Sequence, residues 1–139
     1  MKLSDQIKEQ VVEVIARGDE FRQIGATTWL AREKKLHVLY STGSSVNTKI
    51  YSFRVSPNAL GADYVVFICG SAQIYYILST STIEKMFYHT DAIREFTYPE
   101  MRTIKIRPED SLIVYTTDGK ALNIRSVFRA RFKMSPLVT

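Results

Sequence analysis

The chain of 139 residues contains few of the residue types that build disulfide-bonded or metal-bound proteins: one cysteine, two histidines and four prolines. The single Cys69 excludes a disulfide framework, and no pair of Cys and His residues has the spacing of zinc ligands. No apolar run approaches the roughly 18 residues of a membrane helix. The first ten residues, which include Lys2, Asp5 and Lys8, are too polar for a signal peptide. We therefore predict a cytoplasmic protein with no transition metal and no membrane partner.

Apolar residues are frequent enough for one packed core, since 45% of the positions are hydrophobic and 24% are charged. This composition excludes intrinsic disorder, and the length is typical of one domain. No internal repeat, low-complexity tract or proline-rich linker divides the chain. We predict a single domain over residues 1–139.

Positive charge is concentrated near the end of the chain. The formal net charge is +5, of which residues 1–99 carry +1 and residues 100–139 carry +4. No basic amphipathic helix accompanies this excess, so a nucleic acid fits it better than a membrane surface does. A polyanionic partner is therefore the first functional expectation.

Hydrophobic spacing predicts one helix followed by a series of strands. Ile7, Val11, Val14 and Ile15 recur at helical spacing, with Ser4 as the expected N-cap. Gly18 is positioned to end this helix. Alternating or β-branched runs then predict strands at 22–31, 36–42, 49–55, 102–107, 112–115, 121–124 and 128–134.

Two runs have a different pattern, because residues 64–69 and 74–78 are almost continuously apolar. Strands of this kind are covered on both faces, which predicts a helix on each side of the sheet. A capping box of Ser81 and Glu84 predicts the second helix, from Thr82 to His89. The predicted fold is α+β, with a central mixed or antiparallel sheet in residues 1–95 and a basic, β-rich C-terminal extension in residues 96–139.

The alternating basic residues of the C-terminal strands are the strongest functional feature. If these strands are neighbours, their cations converge on one sheet face that follows a phosphate backbone. The predicted nucleic-acid-binding residues are Lys105, Arg107, Arg129, Arg131 and Lys133, with a second patch of Lys34, Lys35 and Lys49. The alternative is a solvated face whose charges prevent aggregation.

The order of strands in residues 4–90 resembles the core of the PD-(D/E)XK restriction-endonuclease-like superfamily. The resemblance is carried by four segments that precede a helix in that order: LHVLYSTGS, KIYSFRV, ADYVVFIC and IYYILSTSTIEKM. It implies a nuclease-like core and a partner of duplex DNA. It also implies a divalent-metal site on the first of these strands.

The chain departs from that superfamily at its catalytic positions. The resemblance places Val38 where the superfamily has an acidic or Gln residue, and Tyr40 where it has lysine. The upstream acidic ligand falls near Thr27, Thr28 or Trp29, none of which is acidic. Since Mg²⁺ requires oxygen ligands, usually carboxylates, this alignment implies a degenerate metal site.

Three functions remain open from the sequence. The first is binding of nucleic acid without a cofactor, with double-stranded DNA as the favoured ligand. The second is a Mg²⁺-dependent endonuclease of restriction or homing type with displaced residues, for which the catalytic candidates are Asp19, Glu20, Glu33 and Lys35. The third is a homo-oligomeric scaffold that associates through the apolar strands between Tyr64 and Leu78.

Overall fold

The computed structural model describes residues 2–43, 50–110 and 112–123, which form an α+β structure. A short 3₁₀ helix, Pro57–Gly61, lies between the fourth and fifth strands. The elements in chain order are α1 (Leu3–Ala16), β1 (Phe21–Gln23), β2 (Thr28–Ala31), β3 (Lys34–Ser41), β4 (Tyr51–Val55), β5 (Tyr64–Cys69), β6 (Tyr75–Ser79), α2 (Thr80–Phe87), β7 (Ile93–Arg94), β8 (Arg102–Arg107), β9 (Leu112–Val114) and β10 (Ala121–Asn123).

Helix α1 forms where the apolar spacing predicts it, but its ends differ from the expectation. The N-cap is Lys2, whose carbonyl accepts hydrogen bonds from the backbone of Asp5 and Gln6. Ser4 therefore lies inside the first turn and is not the cap. The helix ends at Arg17, which adopts the left-handed conformation (φ 52°) one residue before Gly18.

The first sheet is mixed and has the order β1-β2-β3-β5-β6. β3 and β5 are parallel, whereas the other neighbours in this sheet pair antiparallel. Helix α1 packs on one face and completes a core whose largest contributions come from Ile15, Trp29, Leu36, Ile68 and Ile77. The short link Gly70-Ser71-Ala72 predicts an antiparallel hairpin of β5 and β6, and their pairing confirms it.

A second sheet covers the other face of the first. Its order is β10-β9-β8-β4, all antiparallel, and β7 also pairs with β8. The side chains that meet the first sheet include Phe53, Ile104, Ile106 and Ile113, and α2 adds Phe87 to the same core. The prediction of a helix on each side is thus correct only in part. β4 and β8 carry apolar faces that also require burial, so strands share this face with α2.

Helix α2 follows β6 without a connecting loop. Its N-cap is Ser79, the last residue of β6, and the Ser79 hydroxyl accepts a hydrogen bond of 3.4 Å from the backbone N–H of Thr82. Ser81, the expected cap, lies in the first turn because the helix begins earlier, directly after its cap Ser79. Among the described residues, neither helix is long and apolar enough to cross a membrane.

Tyr51 connects the two sheets at one end. Its ring lies against Gly43, just after β3, and Gly70, at the β5–β6 hairpin. Both glycines have positive φ, 92° and 83°, which other residues adopt at a cost. A Cβ atom at Gly70 would approach the Tyr51 hydroxyl oxygen to 3.2 Å. Gly70 also accepts a hydrogen bond of 3.2 Å from the Tyr40 hydroxyl, so this position combines a backbone and a packing constraint.

We expect Gly70→Ala to lower the free energy of unfolding by about 2 kcal/mol, because the left-handed backbone and the Tyr51 ring both oppose a side chain. The control is Gly61→Ala, where φ is not positive and no atom lies within 4 Å of the added Cβ. That variant should change stability by less than about 0.5 kcal/mol. Urea unfolding followed by circular dichroism measures both. Equal losses in the two variants would contradict the role assigned to Gly70.

Candidate nucleic-acid interface

Strand β8 presents two cations away from the core. Ile104 and Ile106 are 1% and 0% exposed and point toward the first sheet. The intervening Lys105 and the following Arg107 are exposed. Because side chains alternate along a strand, these two cations share one face and are separated by about 6.7 Å along it. The predicted alternation of β8 is confirmed.

Strand β4 adds polar residues to the same face. Phe53 and Val55 are buried, whereas Ser52 and Arg54 are exposed. Ser52 lies opposite Lys105, and Arg54 lies opposite Thr103. Residues directly opposite in an antiparallel pair project to the same side of the sheet. We call this surface the outer face; its residues are Ser52, Arg54, Thr103, Lys105 and Arg107.

A small network holds Arg54 in place on the outer face. Its guanidinium lies 3.1 Å from a Glu95 carboxylate oxygen, and the Thr103 hydroxyl donates to the other oxygen at 3.0 Å. The guanidinium carbon is also 6.0 Å from the centre of the Tyr98 ring. Arg54, Glu95 and Thr103 border a concavity of about 380 Å³ that extends to Tyr40 on β3. Arg54 is therefore oriented before any ligand binds.

The side chain of Arg107 is held less firmly than that of Arg54. Its Nε atom lies 3.3 Å from an Asp110 carboxylate oxygen, and both side chains are about half exposed. Exposed pairs of this kind contribute at most about 1 kcal/mol, since water and salt screen them. A phosphate is consequently able to replace Asp110 as the partner of Arg107.

The second predicted patch lies on the other sheet. Lys34 and Lys35 are at the beginning of β3, and the backbone N–H of Lys35 donates to Asp63 at 2.8 Å. They are not on the outer face with Lys105 and Arg107. The remaining predicted cations, Lys49, Arg129, Arg131 and Lys133, lie outside the described residues.

The described part of the chain is electrically balanced. All 14 acidic residues lie within it, together with 14 of the 19 basic residues. The five basic residues outside it are Lys49, Arg125, Arg129, Arg131 and Lys133. The net charge of +5 therefore belongs entirely to residues outside the described part, four of them after β10.

The three acidic candidates for nuclease chemistry line one concavity of about 1050 Å³ between the end of α1 and the β2–β3 turn. Asp19 is paired there with Arg32, at 3.7 Å between Nε and a carboxylate oxygen. Glu33 lies in the turn with φ of 65°, as expected from the polar sequence, and Glu20 lies before β1. Lys35 does not line this concavity. The structure therefore gathers the acids without the lysine.

The residues that the resemblance aligns with a metal site do not fit Mg²⁺. Val38 is completely buried beneath α1, and the Tyr40 hydroxyl donates to the carbonyl of Gly70. Trp29 is buried in the same core. Within residues 2–43, 50–110 and 112–123, no three His, Cys, Asp or Glu side chains form a group able to hold a metal ion.

Two titratable groups are buried without catalytic partners. Burial, together with the charge of Lys8, lowers the pKa of His37 to about 4, and its Nδ1 atom lies 3.3 Å from the Thr27 hydroxyl. Burial raises the pKa of Cys69 to about 12, so its thiol is not a nucleophile at neutral pH. The prediction that Cys69 is a small buried hydrophobic residue is confirmed.

The sequence patterns did not single out the hairpin formed by β7 and β8. The Glu95 N–H donates to the Met101 carbonyl, and residues 96–100 form the hairpin tip. Phe96 is 100% exposed and Tyr98 is 49% exposed at this tip. The sequence does indicate Tyr98 and Tyr115, near the basic strands, as aromatic residues able to stack on bases, or else as core or rim residues. Tyr115, another aromatic residue near the basic strands, instead packs against the core and the His89 ring.

No family model matches the chain, and no curated protein is significantly similar to it. A solved structure with a similar arrangement is the crystal structure of MepB, which is 11% identical in sequence. The match has a TM-score of 0.38 and covers 76% of this chain and 80% of that chain. A likeness this remote carries no argument about function.

Because His37 is buried in its neutral form, we expect acid to weaken the fold. Its pKa is about 4 when folded and 6.5 in the unfolded chain, so the unfolded state binds the proton more tightly. The contribution of neutral His37 to the free energy of unfolding is fully present above pH 6.5 and falls as the pH drops toward 4. The loss between pH 7 and pH 5 is about 2 kcal/mol. Urea unfolding at both pH values measures the loss. His37→Leu should remove most of this difference, and an equal difference in both proteins would refute the assignment.

Proposed function

We propose that the protein binds nucleic acid, with duplex DNA as the ligand, through the outer face. The observation that carries the proposal is the outward projection of Lys105 and Arg107 from a strand whose other face is core. Their spacing of about 6.7 Å lets both contact one phosphate backbone. Arg54 lies beside them on the outer face, where the ion pair with Glu95 orients its guanidinium and offsets its charge.

The distribution of charge supports the same proposal. The segment 124–139 follows β10, which belongs to the same sheet as β8, and it contains four cations and no acidic residue. We propose that Arg129, Arg131 and Lys133 of this segment add phosphate contacts. Lys34, Lys35 and Lys49 form a second patch with a smaller contribution.

We also propose that the core is restriction-endonuclease-like with a degenerate metal site. The four segments that carry the resemblance correspond to β3, β4, β5 and β6, in that order, and α2 follows them. The buried Val38 and the bonded Tyr40 support the loss of metal ligands. Binding of DNA on this core would require neither Mg²⁺ nor another cofactor.

One observation favours an active endonuclease as a second candidate: Asp19, Glu20 and Glu33 line a single concavity. The pairing of Asp19 with Arg32 and the absence of Lys35 from this concavity weigh against it. The homo-oligomeric scaffold and the cytoplasmic location stay predictions. Both faces of β5 and β6 are buried within one chain, so the scaffold would need another surface.

We expect the double variant Lys105→Glu, Arg107→Glu to weaken binding to a blunt 20-base-pair duplex at least tenfold. The slope of log affinity against log salt should become shallower by about 2, because two phosphate contacts are lost. Fluorescence anisotropy between 50 and 200 mM salt measures both quantities. The control is Lys85→Glu, an exposed cation on α2, which should leave affinity within about twofold.

Unchanged affinity in the double variant would refute the outer face as the interface. Addition of Mg²⁺ to the same mixtures tests the second candidate. We expect the duplex to remain uncut, and cleavage that is lost in Asp19→Asn or Glu20→Gln would establish the endonuclease instead.

A further inference from the structure

The tip of the β7–β8 hairpin presents aromatic side chains to solvent from a rigid base. The Phe96 side chain is 100% exposed, so it packs against none of the described residues. The base of the hairpin is fixed by Arg102, whose Nη1 atom donates to the Pro99 carbonyl at 2.7 Å and whose Nε atom donates to the Phe87 carbonyl at 3.1 Å. The Met101 N–H also donates to the Tyr98 carbonyl at 2.9 Å.

The hairpin tip adjoins the outer face. Tyr98 is 49% exposed, and its ring lies 6.0 Å from the guanidinium of Arg54. Arg54 lies opposite Thr103 and is a diagonal neighbour of Lys105 on the same face. Such neighbours are about 7–8 Å apart, so the Tyr98 ring, Arg54 and Lys105 follow one another across the face. Phe96 lies two residues before Tyr98 in the same hairpin tip. We call Phe96, Tyr98, Arg54, Lys105 and Arg107 the aromatic–basic strip.

The chemistry of this strip indicates its ligand. Cations attract phosphates, and exposed aromatic rings stack on the faces of bases. Bases within a duplex are already stacked on one another, so only an unpaired base offers its face to Phe96 or Tyr98. Arg54 and Thr103 bind the Glu95 carboxylate, which offsets the charge of Arg54, so Lys105 and Arg107 are the main phosphate contacts of the strip.

We propose that Phe96 and Tyr98 stack on unpaired bases next to a duplex that the cations of the outer face hold. The preferred ligand is therefore a junction between double-stranded and single-stranded nucleic acid, and uninterrupted duplex binds less tightly. This inference rests on the proposed function and specifies the form of nucleic acid that the same surface recognises.

The experiment compares three labelled ligands by anisotropy: a blunt 20-base-pair duplex, the same duplex with a six-nucleotide 3′ or 5′ overhang, and that overhang made abasic. We expect the overhang to tighten binding about tenfold, and the abasic overhang to lose most of this gain. Phe96→Ala should reduce the gain while leaving affinity for blunt duplex unchanged. Tyr98→Ala should also reduce the gain, measured as the ratio of overhang affinity to blunt-duplex affinity, because this variant removes the ring beside Arg54 as well. Phe96→Trp should retain the gain.

The control is Leu3→Ala, an exposed apolar residue on α1, which should bind all three ligands like the original protein. If the overhang adds no affinity while Lys105→Glu, Arg107→Glu still weakens blunt duplex, the stacking role is refuted and the proposed function stands. If no ligand binds, both fail. If Phe96→Ala only abolishes self-association in sedimentation, the hairpin tip is a contact between copies of the chain, which also overturns the proposal.

Discussion

Burial of both faces of β5 and β6 is the constraint on which the other layers depend. Val66 and Ile68 of β5 pack toward α1, whereas Val65 and Phe67 pack toward the second sheet. A strand with two apolar faces is destabilised unless both faces are covered, because each Å² of apolar surface left in water costs about 25 cal/mol. One helix covers the first face, and β4, β8, β9 and α2 together cover the second. The mixed first sheet is thus the middle layer of the structure.

The outer face is a consequence of this packing. Ile104 and Ile106 must point inward to complete the core, and alternation then places Lys105 and Arg107 outward. The cations therefore project from a strand that the core holds rigid. This geometry costs little entropy when phosphate binds, since only the side chains remain to be ordered. The same sheet leads through the β7–β8 hairpin to Phe96 and Tyr98, so affinity and recognition of unpaired bases would come from one structural unit.

The acidic concavity illustrates how proximity differs from a catalytic arrangement. Asp19, Glu20 and Glu33 border one space, yet Asp19 is neutralised by Arg32 and Lys35 lies elsewhere. At the positions aligned with a nuclease site, the fold buries apolar side chains beneath α1. His37, next to them, remains neutral because burial disfavours its charge. These residues contribute to stability, whereas Lys105 and Arg107, the cations of the proposed interface, lie on the second sheet.

The sequence by itself determined several strands and the apolar side of each, as in residues 51–55 and 102–107. The prediction of one strand over residues 22–31 was wrong, because these residues form β1 and β2, and the sequence did not predict β7. The predicted strand 128–134 lies outside the described residues. The sequence also determined the β9–β10 hairpin through the turn at Asp118 and Gly119 and the burial of Cys69. Only the tertiary structure decided that Ser52 faces Lys105, that Ser79 rather than Ser81 caps α2, and that Phe96 is fully exposed. Alternation is local, because neighbouring side chains point to opposite faces whatever lies beyond the strand. The pairing of strands and the choice among adjacent caps depend on the packing free energy of the whole chain, which no short segment encodes.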